Sequence, residues 1–83
     1  MKHATAPALD LLEPLLERLR ALPDLRERTR GIFYRKSSAF LHFHEDPAGL
    51  FADLKEGADF VRYRVSTGKE RDALVARVRK LVG

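Results

Sequence analysis

The stretch FLHFHEDPAGLFADLKEGADFVRYRV, Phe40–Val65, decides the fold. Its aromatic and branched residues recur at every second position, the period of a strand whose side chains alternate between two faces. DPAG at 46–49 and EGAD at 56–59 are turn sequences, so the segment reads as three strands joined by two tight turns. One more strand precedes it, GIFYR at 31–35, with KSS as its turn. Connections this short exclude parallel crossovers and leave a four-stranded antiparallel meander.

Register sorts the residues between faces. If Asp46 lies opposite Gly49, then His44 pairs with Phe51 and His42 with Asp53, and the next turn, Glu56 to Asp59, sets Asp53 opposite Arg62. One face then carries Leu41, Phe43, Leu50, Ala52, Leu54, Val61, Tyr63 and Val65, an apolar surface suited to a layer of helices. The other carries Phe40, His42, His44, Phe51, Asp53, Lys55, Phe60, Arg62 and Arg64. A turn with a bulged glycine would instead oppose Asp46 to Leu50 and part His42 from Asp53. The first register is preferred because the second mixes apolar and charged residues on both faces.

Working outward, Leu11, Leu12, Leu15, Leu16, Leu19 and Leu22 form one helical stripe. Asp10 and Glu13 have the offset of a capping box, Pro14 falls near the first turn, and Pro23 ends the helix; residues 1–9 read as a flexible tail. Downstream, Thr67 and Glu70 repeat the capping-box offset ahead of Leu74, Val75, Val78, Leu81 and Val82, which predicts a helix over about residues 69–81. The order α-β-β-β-β-α, with both helices on one face of the meander, is a two-layer α+β domain. A chain of 83 residues has room for one such core.

There is no cysteine, which excludes a disulfide framework, a thiolate nucleophile and any sulfur-ligated zinc site. Sixteen Lys and Arg against twelve Asp and Glu give a net charge of +4, spread along the chain without a dense basic block. No stretch resembles a signal peptide or reaches the roughly 20 apolar residues of a membrane span, so a cytoplasmic protein without a membrane partner is expected. A domain this small buries only about 60% of its unfolded surface, and burial in a homodimer would add to that.

Four kinds of chemistry fit the polar face. His42, His44 and Asp53 are candidate metal ligands, since alternate strand residues share a face and the neighbouring strand supplies a carboxylate. The same residues also satisfy a plainer reading, a cross-strand polar network of His42 with Asp53 and Asp53 with Arg62. Acid–base catalysis by His42 beside Asp53 lacks the rest of an active site: no nucleophile elbow, phosphate loop or dinucleotide fingerprint occurs, and no cofactor is expected. Ser66 and Thr67 fit helix caps, and Gly49, Gly57 and Gly68 fit turns. Phe40, Phe51, Phe60, Arg62 and Arg64 could stack on bases and hold phosphates of a single-stranded nucleic acid. Finally, three phenylalanines on an uncovered face favour self-association, two sheets packing back to back.

The stretch FLHFHEDPAGLFADLK resembles a segment of short, functionally unassigned bacterial proteins of about this size. The helix–meander–helix order is also similar to that of the MmcQ/YjbR-like small proteins, whose Trp-containing motifs this chain lacks. Neither resemblance implies an activity. The expectation from sequence is therefore a non-enzymatic binding or accessory module that self-associates through Phe40, His42, His44, Phe51, Asp53, Phe60, Arg62 and Arg64, with nucleic-acid binding as the alternative and a metal or histidine-based site third.

Overall fold

The computed structural model describes residues 1–83. Eight elements follow one another: β1 (Lys2–His3), α1 (Ala6–Arg20), β2 (Arg26–Thr29), β3 (Ile32–Arg35), β4 (Ser38–Asp46), β5 (Gly49–Glu56), β6 (Asp59–Arg64) and α2 (Gly68–Val82). The class is α+β, with an open antiparallel sheet in which β2 to β6 lie in sequence order and β1 pairs with β4. No helix is long and apolar enough to cross a membrane.

The meander has the preferred register. Asp46 pairs with Gly49, His44 with Phe51, His42 with Asp53, and Asp53 with Arg62. The Asp46 carboxylate accepts the Ala48 amide at 2.9 Å, closing the turn on itself. Leu41, Phe43, Ala52 and Leu54 are buried in one cluster with Leu9, Leu12, Leu15, Leu16 and Leu19 of α1 and Leu74, Val75, Val78 and Val82 of α2. The helices also touch each other, and Arg18 reaches Asp72 at 2.7 Å.

Four expectations need correction. The sheet has six strands rather than four, because β1 is two residues long and β2, RERT, is an edge strand with no apolar alternation to reveal it. Residues 1–9, expected as a flexible tail, instead supply β1 and the first turn of α1. That helix starts at Ala6, with Thr5 as its N-cap and Pro7 in its first turn, a place where the missing N–H is tolerated. Asp10 and Glu13 are therefore not a capping box. They bind Arg30, and Glu13 also takes Arg20 at 2.6 Å.

Phe40 is the fourth. Tyr34 pairs with Ala39 and Phe33 with Leu41, which leaves Phe40 with no partner opposite. This bulge turns two consecutive side chains the same way, and Phe40 joins Leu41 in the buried cluster at 5% exposure. The alternation read from sequence holds only from Leu41 onward. At the other end, α2 begins where foreseen: Thr67 Oγ1 accepts the Glu70 amide at 3.2 Å while the Glu70 carboxylate accepts the Thr67 amide at 2.9 Å.

Two predictions follow from these contacts. Phe40→Ala is expected to destabilise the protein by about 3–5 kcal/mol in urea unfolding, whereas Phe60→Ala, at an exposed position, changes stability by less than about 1 kcal/mol; equal effects would place Phe40 outside the core. The second concerns acid. Hydrogen bonds from Arg20, then Arg30, lower the Glu13 carboxyl from 4.5 to about 2. A carboxyl with a depressed folded-state pKa stabilises the fold fully above its unfolded value and loses that contribution as pH falls through the folded one. The stability gap between wild type and Glu13→Gln should accordingly be constant above about pH 5 and close by about pH 2, measured by urea midpoints across that range.

Candidate metal centre

The side of β4 and β5 turned away from the core carries the polar cluster, and β1 completes it. β4 is nine residues long and β3 only four, so the last turn of β4 outruns its hairpin partner. β1 fills the vacated edge: Lys2 pairs with Glu45 and His3 with His44. Glu45 fastens the junction by accepting the Thr5 amide at 2.6 Å and its hydroxyl at 2.7 Å. A residue directly opposite another in an antiparallel pair shares its face. His3 is thereby placed beside His44, with ring centroids 4.7 Å apart.

Three imidazoles now converge. One ring nitrogen from each of His3, His42 and His44 lies within 4.8 Å of the others. His42 Nδ1 and His44 Nε2 are 3.0 Å apart, and His44 Nε2 is 3.1 Å from Asp53 Oδ2. Asp53 is in turn gripped by Arg62, whose Nε and Nη2 donate to its two oxygens at 2.7 and 2.8 Å. The Phe60 ring stacks against His42 with centroids 4.9 Å apart. The cluster grades from outside to inside: His3 is exposed, His42 half-buried, and His44 and Asp53 are each 7% exposed.

Two features set this apart from a finished polar network. His44 Nδ1 is buried and has no hydrogen-bond partner, a condition that in a native interior calls for an explanation. In addition, His44 Nε2 stands 3.0 Å from His42 Nδ1 and 3.1 Å from Asp53 Oδ2, near the separation of about 3.3 Å that Zn–N bonds of about 2.0–2.1 Å give the donors of a tetrahedral site. Burial pushes the His42 and His44 imidazoles below the usual range, His44 adding to the effect on His42, while Asp53 opposes it at both. The Arg62 hydrogen bonds hold the Asp53 carboxyl below the ordinary carboxylate value. Neutral imidazole and ionised carboxylate are the ligand forms of these groups.

Of the residues expected on the polar face, His42, His44, Asp53, Arg62 and Phe60 meet in this cluster. Phe51 lies opposite His44 and Arg64, whose guanidinium sits 5.7 Å over its ring and 3.7 Å from Glu70. Phe40 is in the core instead, for the reason given above. Serine chemistry does not enter: Ser66 Oγ accepts the Leu50 amide at 3.0 Å, tying β5 to the approach to α2. His3 was assigned no role from sequence, because a two-residue strand has no period to detect. The mismatch between the short GIFYR strand and the longer AFLHFHE strand was the available signal that another segment must cover the end of β4.

In comparisons with protein-family models, curated proteins and solved structures, none matches this chain.

Asp53 is the hub that orients the cluster, and its removal strands two partners of unequal burial. Asp53→Ala is expected to cost about 1–3 kcal/mol, since His44 loses its carboxylate in a buried setting, while Arg62→Ala, removing a half-exposed partner, costs less. Chemical denaturation of both variants checks the order; a larger loss for Arg62→Ala would contradict it.

Proposed function

We propose that the protein is a non-enzymatic metal-binding module that holds a late first-row divalent cation, Zn2+ by preference, between His3, His42 and His44, with Asp53 closing the coordination shell. The observation that carries this reading is the approach of three imidazole nitrogens to within 4.8 Å, two of them already 3.0 Å apart. Imidazole with one carboxylate is a donor set suited to Zn2+, Cu2+ or Ni2+ rather than to Ca2+ or Mg2+, which prefer all-oxygen shells. With Asp53, 3.1 Å from His44 Nε2, as the fourth ligand, the shell would have no open position for a substrate, the pattern of structural rather than catalytic zinc sites. Arg62 supports the arrangement by fixing the Asp53 carboxylate, the outer-shell role that tunes ligand orientation.

The gain is structural. Without cysteine the chain has no disulfide to supplement a small core, and β1 is attached to β4 over only two residue pairs. A cation shared by His3 and the β4 histidines cross-links that short strand to the body of the sheet. Self-association through the same face, the expectation from sequence, has less support: Phe40 is withdrawn into the core, and among the three phenylalanines only Phe60 is exposed. The sheet-face version of nucleic-acid binding is weakened too, since Arg62 is committed to Asp53 and Arg64 stands over Phe51 near Glu70.

The test uses untagged, chelator-stripped protein titrated with Zn2+ and with Ca2+ in a calorimeter, with light scattering to fix the number of chains per ion. One Zn2+ per chain is expected, no Ca2+, and at least a tenfold weaker site in His3→Ala, an exposed position whose substitution spares the core. At a free Zn2+ concentration of about 100 times the dissociation constant, wild type should gain about 2.7 kcal/mol of stability and His3→Ala much less. Substoichiometric Zn2+ uptake, or uptake unchanged in His3→Ala, would refute the site.

A further inference from the structure

The positive charge of the chain is not evenly distributed once folded. Lys2, Arg18, Arg20, Arg30, Arg62, Arg64 and Arg77 all have a carboxylate within 4.0 Å. Arg26, Arg28, Arg35, Lys36 and Lys55 have none, and these five line two clefts at the β3–β4 turn, of about 390 Å³ and about 570 Å³, that adjoin through Lys36. Asp24 is the one carboxylate in either lining. The clefts therefore carry a net +4, the whole formal charge of the chain, and the remaining eleven basic and eleven acidic residues cancel.

Two local details point to an absent partner. Arg35 Nε is buried with no hydrogen-bond acceptor, although a guanidinium is ordinarily satisfied when its donors leave water. The Arg28 guanidinium lies 4.7 Å over the Tyr34 ring, which fixes it in the cleft wall. The turn is the two-residue loop Lys36–Ser37 closing Arg35 onto Ser38, with left-handed φ of 53° and 76° as a tight hairpin requires, and it places Lys36 between the clefts.

We infer that these two clefts form a single phosphodiester-binding surface, whose partner is a single-stranded nucleic acid. Five cations strung along adjoining clefts suit a run of successive phosphates better than one compact anion, which calls for donors converging on a point. Arg35, Lys36 and Lys55 border the part-exposed Ala39 and Leu81 in the first cleft, so some apolar surface is interleaved with charge where a base could rest. None of these residues belongs to the histidine cluster. The surface is independent of the metal reading and can fail without it.

Fluorescence anisotropy with an oligothymidylate of about 16 nucleotides, in the presence of a chelator, tests the assignment. Four phosphate contacts on a single strand predict a slope of log affinity against log salt near −3, hence a roughly 50-fold loss of affinity between about 50 and 200 mM salt. The double variant Arg26→Gln with Lys36→Gln, both at exposed positions, should bind at least tenfold more weakly and flatten the slope by about 1.4. Lys55→Gln should flatten it by about 0.7, and Lys69→Gln, an exposed lysine outside the clefts, should bind within twofold of wild type. No binding at low salt would overturn the inference, as would a loss in Lys69→Gln equal to that of the double variant. Equal competition by polyglutamate, or binding to anionic vesicles without binding to the oligonucleotide, would overturn it as well.

Discussion

The pairing of β4 with β5 is the constraint on which the rest depends. The Asp46–Gly49 turn sets it, and every later placement inherits it: Leu41 and Phe43 toward the helices, His42 and His44 away from them, Asp53 between His42 and Arg62. A slip of one residue would turn one strand over against the other, driving either the two imidazoles or the Asp53 carboxylate under leucines and exposing Phe43 or Leu54 to water. Gly49 is part of what forbids the slip. Its φ of 141° is closed to side chains, and a Cβ there would stand 2.5 Å from Ser66 Oγ, the group that receives the Leu50 amide. The turn is thus tied both to itself through Asp46 and to the loop that leads into α2.

How much of this the sequence disclosed depends on whether a feature has a period. The alternation of Leu41 to Val65 and the leucine stripe of α1 repeat often enough to specify strand and helix, and the Thr67–Glu70 capping box marks α2 by a fixed offset. The convergence of His42, His44, Asp53 and Arg62 follows from that alternation and two turns. Features that interrupt a period were not legible. The bulge at Phe40 inserts one residue and reverses the inference for a single side chain, and nothing in SSAFL distinguishes it from regular strand. β1 and the polar edge strand β2 are recognised only through their partners in space. His3 belongs to this second group, which is why the third imidazole of the cluster escaped a reading that found the first two.

The bulge and the histidine cluster are two consequences of one shortage. A chain this short has few apolar side chains with which to fill the space beneath its helices, and turning both Phe40 and Leu41 inward places two large residues where regular pleating allows one. The same economy takes Phe40 from the opposite face, where Phe51 and Phe60 stay beside the polar groups. Those polar groups are only partly satisfied by one another: Asp53 accepts two hydrogen bonds from Arg62, whereas His44 has a buried nitrogen with none. Buried polar networks stabilise when complete and cost stability when incomplete. The proposed cation between His3, His42 and His44 would act at the other ring nitrogen, His44 Nε2, and would tie β1 to β4, to which it is joined over two residue pairs.

Electrostatic division of labour separates the two proposed sites. Around α1 and the β2–β3 hairpin, Arg20 and Arg30 are absorbed by Glu13, Asp10 and Glu27, and Glu27 also takes the Gly31 amide at 2.7 Å, so these charges fasten α1 to the hairpin and are not free for a ligand. Arg62 is likewise spent on Asp53. Of the cations left without a carboxylate, Lys69, Arg71, Arg79 and Lys80 lie on α2, while Arg26, Arg28, Arg35, Lys36 and Lys55 line the two adjoining clefts and add their fields over a Debye length of about 8–10 Å. A protein of modest overall charge can in this way present a strong local field, because fold rather than composition decides which charges are neutralised. The histidine cluster works by the opposite rule. It gathers imidazole nitrogens around one carboxylate that Arg62 compensates. The two proposed surfaces, one suited to an anion and one to a cation, share no residue on a sheet of six short strands.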